Sequence, residues 1–230
     1  MTASAMPRDR SEASTLSPGL DVVQAARARG VTEVLHFTRL QQGALGILSS
    51  QMIKTRRTLP DDKHLEHVYE PNSVNAQRNR DLPWHDYVNL SVTRINPRMF
   101  DYSQRTHAHP DTSWCIFTFE IDVLAAPGGV FTTTNNTYSG VRRSEGVNGF
   151  EAMFGPHIHR YNDVSVTRPD DRQLNEPTDP QAEFLHLGDL DLAHLTRIST
   201  QTEEGSETIH GMLGVFPTDC HVEHSPERFS

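Results

Sequence analysis

Gln181-Ala182-Glu183-Phe184-Leu185 is the stretch around which the chain is organised. It follows a long polar approach and ends at Gly188, so residues 181–187 are predicted to form a strand that is entered from a loop. Residues two apart on a strand face the same side, which places Gln181 and Glu183 together. A carboxylate in the middle of a strand is costly to bury without partners. Glu183 therefore either faces water on an edge strand or serves a function.

The composition indicates one globular domain. The chain has 230 residues, of which 35% are hydrophobic. This length supports a core of real size, while the low hydrophobic content predicts flexible ends and long loops. No run approaches the roughly 18 apolar residues of a membrane helix, and the N-terminus lacks the apolar centre of a signal peptide. The two cysteines lie far apart in the sequence, which is typical of a reducing compartment, so we predict a cytoplasmic protein. We also predict a monomer without membrane contact.

The formal charge of −9 argues against a protein that coats nucleic acid, but the charge is unevenly distributed. Residues 54–105 carry nine basic and seven acidic side chains, whereas residues 163–230 carry four basic and fourteen acidic ones. The middle of the chain therefore remains able to contact phosphates, although most of these charges are expected to be solvated surface groups.

Short elements alternate along the chain. We expect a disordered N-terminal tail (1–17), a single domain (18–216) and a polar C-terminal tail (217–230). Helices are predicted at residues 18–29, 41–50 and 149–154, and strands at 31–37, 87–93, 114–121, 130–133, 181–187, 195–199 and 212–216. Short strands with interspersed short helices indicate an α+β domain.

Two segments of this pattern are candidates for function. The strand at residues 87–93 alternates strictly, with Val88, Leu90 and Val92 inward, and its polar face either meets solvent or lines a cleft. Residues 54–84 form a long polar loop, and a loop of this length in a compact domain is usually functional or disordered. Its basic side chains are Arg56, Arg57, Lys63, Arg78 and Arg80.

Common catalytic motifs are absent. The thirteen histidines include close pairs, but no paired-cysteine framework and no HExxH pattern accompany them, so we predict no metal. No G-x-S-x-G elbow, Walker loop or dinucleotide-binding glycine fingerprint occurs.

An ordered set of short motifs resembles the DarT-type DNA ADP-ribosyltransferases. The matching pieces are His36-Phe37-Thr38, Gln77-Arg78-Asn79-Arg80, His85-Asp86-Tyr87-Val88, Val130-Phe131-Thr132 and Gln181-Ala182-Glu183-Phe184-Leu185. They occur in family order, and order and spacing together are more specific than any single piece. The chain departs from the pattern at Thr133-Thr134-Asn135-Asn136, where many relatives have an Asp-containing turn.

The resemblance implies an ADP-ribosyltransferase-like split β-sheet core with short flanking helices, and NAD bound in the cleft as substrate. The implied reaction transfers ADP-ribose to thymine or guanine of single-stranded DNA, and the implied partner is a macrodomain antitoxin of DarG type. The implied catalytic residues are Glu183 and Arg78. The implied NAD-binding residues are His36, Thr38, Arg78 and Gln181, and Arg56, Arg57 and Arg80 are predicted to contact DNA phosphates.

Two other classes remain open on these residues. One is an ADP-ribosyltransferase that modifies RNA or protein, since the residue two positions before the glutamate, here Gln181, often selects the target in protein-modifying relatives. The other is a nucleotide-binding module that binds NAD without releasing nicotinamide.

Overall fold

A computed structural model describes residues 18–59, 82–109 and 111–230. The predicted N-terminal tail of residues 1–17 lies outside these ranges, as do Arg78 and Arg80 of the long loop.

The described residues form five α-helices, most of them short. They are α1 (Pro18–Ala28), α2 (Leu45–Ser50), α3 (Pro97–Thr106), α4 (Gly146–Ala152) and α5 (Glu203–Val215). A π-helical turn, Leu40–Ala44, leads into α2, and 3₁₀ turns occur at Leu82–Trp84, Ile121–Ala125 and Pro226–Phe229. Helix α1 ends as predicted, because Gly30 adopts a φ of +75° that a residue with a side chain rarely accepts. No helix in these ranges is long and apolar enough to cross a membrane.

The strands in the same ranges are numbered in chain order. They are β1 (Glu33–Arg39), β2 (Met52–Ile53), β3 (Tyr87–Val92), β4 (Trp114–Glu120), β5 (Val130–Thr132), β6 (Arg143–Ser144), β7 (His157–Tyr161), β8 (Val164–Thr167), β9 (Glu183–Leu187), β10 (Leu190–Asp191), β11 (Leu195–Thr200) and β12 (His221–His224). Eight of them form one sheet in the order β12-β11-β4-β1-β3-β9-β5-β6. Only the β11–β12 pair in this sheet is parallel within the described residues. The predicted α+β class is confirmed.

The central strands are buried on both faces. On β4, Cys115 and Phe117 belong to the main core, which packs under α1, α2 and α4. Ile116 belongs to a smaller cluster on the opposite face, with Phe100 of α3 and Phe229 near the C-terminus. This two-sided burial explains the nearly continuous apolar run of β4 in the sequence.

The sheet opens between β1 and β3. Strand β1 pairs with β4 along its whole length, from Glu33 to Arg39, but its register with β3 covers only Val34↔Val92 and Leu35↔Ser91. Beyond Leu35 the two strands diverge. The predicted split sheet is therefore present, and the split lies next to His36 and Thr38.

Two sequence predictions were wrong. Residues 212–216 were predicted as a strand but belong to α5 and its end, because the Thr202 side chain caps the helix and apolar residues 209, 212 and 216 follow helical spacing. The predicted C-terminal tail is part of the domain: β12 pairs with β11, and Phe229 is buried. The β7–β8 hairpin was not predicted.

Candidate active site

A cleft of about 620 Å³ lies where β1 and β3 separate. Its walls include His36 and Thr38 from β1, Asn89 from β3 and Glu183 from β9. The polar face of β3 therefore lines a cleft, which was one of the two alternatives open from the sequence. The lining of the cleft also includes Arg56, Trp84 and the loop residues Asn135 and Asn136.

Glu183 is buried at the floor of this cleft, with 7% of its surface exposed. It is not on an edge strand, because β9 lies between β3 and β5, with Ser91 and Thr132 as its direct neighbours. Burial raises the pKa of the carboxyl to about 7, although hydrogen bonds from the Asn89 side chain and the Asn136 main-chain N–H oppose that rise. The Asn136 nitrogen lies 3.4 Å from Glu183 Oε2.

Thr132 holds the backbone of Glu183 in place. The Glu183 N–H donates to Thr132 Oγ1 at 3.1 Å, and the same hydroxyl lies 2.9 Å from the Thr134 carbonyl oxygen. Because the β5–β9 ladder and this side chain act together, the backbone of Glu183 is fixed relative to the loop that follows β5.

His36 bridges the opening of the sheet. Its Nδ1 lies 3.2 Å from the main-chain carbonyl of Asn89. A carbonyl only accepts, so Nδ1 carries the proton, and in the neutral ring Nε2 is an acceptor. Burial lowers the pKa of His36 despite the hydrogen bond to Asn89, so the ring is neutral at physiological pH.

Thr38 lies against the backbone of the π-helical turn that follows β1. A Cβ atom added to Gly43 would lie 1.9 Å from Thr38 Oγ1, so only glycine fits there. Short π-helical turns often mark functional sites, and here the turn brings main chain close to the cleft wall.

Gln181 does not project into the cleft with Glu183. It precedes β9, its N–H donates to Asp179 Oδ1 at 3.0 Å, and its Oε1 accepts from the Tyr138 hydroxyl at 3.1 Å. Within the described ranges its buried Nε2 has no partner. Gln181 therefore contributes to the support beneath the cleft.

The predicted basic contacts divide into three groups. Arg56 lies in the cleft wall. Arg57 is exposed and forms an ion pair with Asp86. Arg78 and Arg80 are outside the described residues.

Several residues at this site were not predicted from the sequence to be functional. Asn136 belongs to the long connection from β5 to β6, and Arg143 begins β6. The Arg143 side chain contacts Asn136 and Trp84. Asp179 and Arg160 form a buried pair beneath the same connection. Only the departure from the family pattern at Thr133-Thr134-Asn135-Asn136 marked this loop in advance.

The geometry suits transfer of a sugar from a leaving group. Cleavage of a bond between ribose and a nitrogen base develops positive charge on the sugar, as in glycoside hydrolysis, and a fixed carboxylate stabilises that charge. In the described ranges no group of three or more His, Cys, Asp and Glu side chains is placed to hold a metal. The split sheet and the buried glutamate in its cleft agree with the ADP-ribosyltransferase class that the sequence motifs implied.

Comparison with protein families identifies the class more closely. Residues 35–230 match the family described as ssDNA thymidine ADP-ribosyltransferase, DarT. The chain belongs to the DarT family, which confirms the predicted class, an ADP-ribosyltransferase of single-stranded DNA. A comparison with curated proteins finds no match.

Solved structures share the fold at low sequence identity. Thermus sp. 2.9 DarT in complex with NAD⁺ is 18% identical, with a TM-score of 0.58 over 86% of this chain and 98% of that one. The same protein with ADP-ribosylated ssDNA gives a TM-score of 0.60 at 18% identity, over 87% and 97%. Thermosipho africanus DarTG with ADP-ribose gives 0.53 at 13% identity, over 86% of this chain and 50% of that one.

Proposed function

We propose that this chain transfers ADP-ribose from NAD to thymine in single-stranded DNA and releases nicotinamide. The proposal depends on one observation: the carboxylate of Glu183 is buried at the floor of a cleft that is large enough for a nucleotide. Thymine is favoured over guanine by the description of the family that residues 35–230 match.

The proposed chemistry assigns two roles to Glu183. The bond from ribose to nicotinamide breaks, the sugar gains positive charge, and the ionised carboxylate stabilises it. The incoming thymine forms the new bond through N3, its one ring N–H in a nucleotide, and must lose that proton. A pKa of about 7 supports Glu183 as the acceptor.

The other cleft residues are proposed to hold the substrates. His36 Nε2, as an acceptor, and the Thr38 hydroxyl suit the nicotinamide amide and its ribose. We retain Arg78 as the residue near the NAD phosphates and the attacking base, because its planar fork matches phosphate. Arg56, Arg57 and Arg80 are proposed phosphate contacts for DNA, and a single strand presents its base without the cost of opening a duplex.

The DarTG neighbour supports a partner for this chain. That protein, Thermosipho africanus DarTG, is in complex with ADP-ribose, and this chain covers 50% of its length. We propose that a macrodomain antitoxin of DarG type removes the modification that this chain adds.

The reaction is tested with NAD and single-stranded oligonucleotides that differ in one base. We expect nicotinamide release and an ADP-ribose adduct only when the variable position is thymine. Guanine at that position, an RNA of equal sequence, and protein from a lysate serve as the competing acceptors. Modification of any of these in preference to the thymine strand contradicts the proposal, and NAD binding without nicotinamide release indicates a binding module.

The pH dependence of the reaction follows from Glu183. Its ionised form is the active one, and its pKa in the free enzyme is about 7. We expect kcat/KM for NAD to fall about tenfold for each pH unit below that value and to level off above it. Burial lowers the pKa of His36, so its imidazole is protonated only at a lower pH than an ordinary histidine. A profile that is flat down to about pH 5 contradicts this assignment.

A further inference from the structure

Arg143 connects two walls of the cleft. Its Nε donates to Asn136 Oδ1 at 2.7 Å, and its Nη2 donates to the main-chain carbonyl of the same residue. The guanidinium also lies over the ring of Trp84, 4.9 Å from the centroid. The planar guanidinium thus donates two hydrogen bonds to Asn136 and stacks on the ring of Trp84. A lysine side chain cannot make this combination of contacts.

Asn136 is the residue through which Arg143 reaches the catalytic carboxylate. Asn136 is buried, with 6% of its surface exposed, and its main-chain N–H points at Glu183 Oε2. It lies in the middle of the connection between β5 and β6. Arg143 stands at the far end of that connection, directly opposite Thr132 in the sheet.

The hydrogen bond from the Asn136 N–H to Glu183 is weak by itself. At 3.4 Å the hydrogen bond is long, so a small displacement of the loop breaks it. Thr134 is fixed from below, because its hydroxyl donates to Asp179 at 2.6 Å. Arg143 makes the described side-chain contacts that fix Asn136 itself, two residues further on.

We propose that Arg143 is a positioning residue for the transferase reaction, which holds Asn136 against Glu183 by clamping it to Trp84. The inference rests on the proposed function, since it concerns the same carboxylate. Arg143 is mainly exposed, so its removal leaves the hydrophobic core intact. Loss of solvent around the guanidinium lowers the pKa of Arg143, in agreement with a side chain that is packed on Trp84.

The test compares Arg143→Ala, Arg143→Lys and the neighbouring control Arg142→Ala by steady-state transfer to a thymine oligonucleotide. The Arg142 main chain pairs with Thr133, and no described side-chain contact joins Arg142 to Asn136. We expect both Arg143 variants to lose roughly ten- to a hundredfold in kcat, with KM for NAD within about twofold, because misplacement of a reacting group affects the rate of the chemical step. The control and all melting temperatures are expected to stay near wild type.

A double-mutant cycle separates positioning from a structural role. Asn136→Ala removes the Oδ1 acceptor of Arg143 and leaves the main-chain N–H in place. If Arg143 acts through Asn136, the loss caused by Arg143→Ala is smaller in the Asn136→Ala background than in the wild type. Additive losses overturn the inference.

Two further outcomes overturn it. A normal kcat in Arg143→Ala removes the positioning role, and a loss confined to KM for the oligonucleotide identifies Arg143 as a DNA contact instead. If the wild type modifies thymine and the variants give one of these outcomes, the inference alone fails and the proposed function stands. If the wild type does not modify thymine at all, the proposed function fails first and the inference fails with it.

Discussion

Replacement of Glu183 by glutamine is expected to lower the rate of ADP-ribose transfer by roughly 10²–10³-fold, or about 3–4 kcal/mol of transition-state stabilisation. NAD affinity is expected to change little, because the carboxylate interacts most strongly with the charge that develops on the sugar in the transition state. Single-turnover transfer and calorimetric NAD binding measure the two quantities separately.

The same substitution has an opposite effect on stability. The pKa of Glu183 in the folded state is about 7, above its unfolded value, so the folded protein binds the proton more tightly and stability falls as pH rises through this interval. Glutamine does not ionise, and the variant is therefore expected to melt at a higher temperature than the wild type above neutral pH. Glu120→Gln, at the exposed end of β4, is the matched control. Wild-type transfer by Glu183→Gln would remove Glu183 from the reaction.

Arg160→Ala is expected to destabilise the protein by about 3–5 kcal/mol, since it leaves the Asp179 charge buried without its partner. The Asp179 side chain is wholly buried, and Arg160 donates two hydrogen bonds to it, at 2.7 and 2.9 Å. Chemical denaturation measures the loss. Arg105→Ala is the control, because its ion pair with Asp101 is exposed, and it is expected to change stability by less than about 1 kcal/mol.

The effect of Arg160→Ala depends on pH. Burial alone would raise the pKa of Asp179, but hydrogen bonds from Arg160, Thr134 and the Gln181 N–H lower it overall. A depressed pKa stabilises the fold above the unfolded value, and that contribution is lost as the pH falls through the folded one. The stability difference between wild type and variant should therefore narrow in acid. An equal difference at neutral and acidic pH would show that Arg160 acts through packing instead of charge.

Local chemistry was readable from the sequence. The strict alternation of residues 87–93 predicted β3 and its buried side, and the helix predicted at residues 18–29 corresponds to α1, because both patterns depend on neighbours in the chain. The ordered motifs led to the family, and they predicted that Glu183, His36 and Thr38 lie close together; the three residues line one cleft.

What only the tertiary structure decided are the contacts between residues far apart in sequence. The opening of the sheet depends on how far β1 stays in register with β3, and this is set by packing on both faces rather than by either strand. Asn89 and Glu183 come together because β3 and β9 are adjacent in the sheet. Asp179 forms its ion pair with Arg160, which lies on a hairpin that was not predicted. The sequence by itself determined that a glutamate at position 183 sits in a strand. Burial at the floor of the cleft decided that the pKa of its carboxyl rises to about 7, because desolvation is a property of the assembled fold.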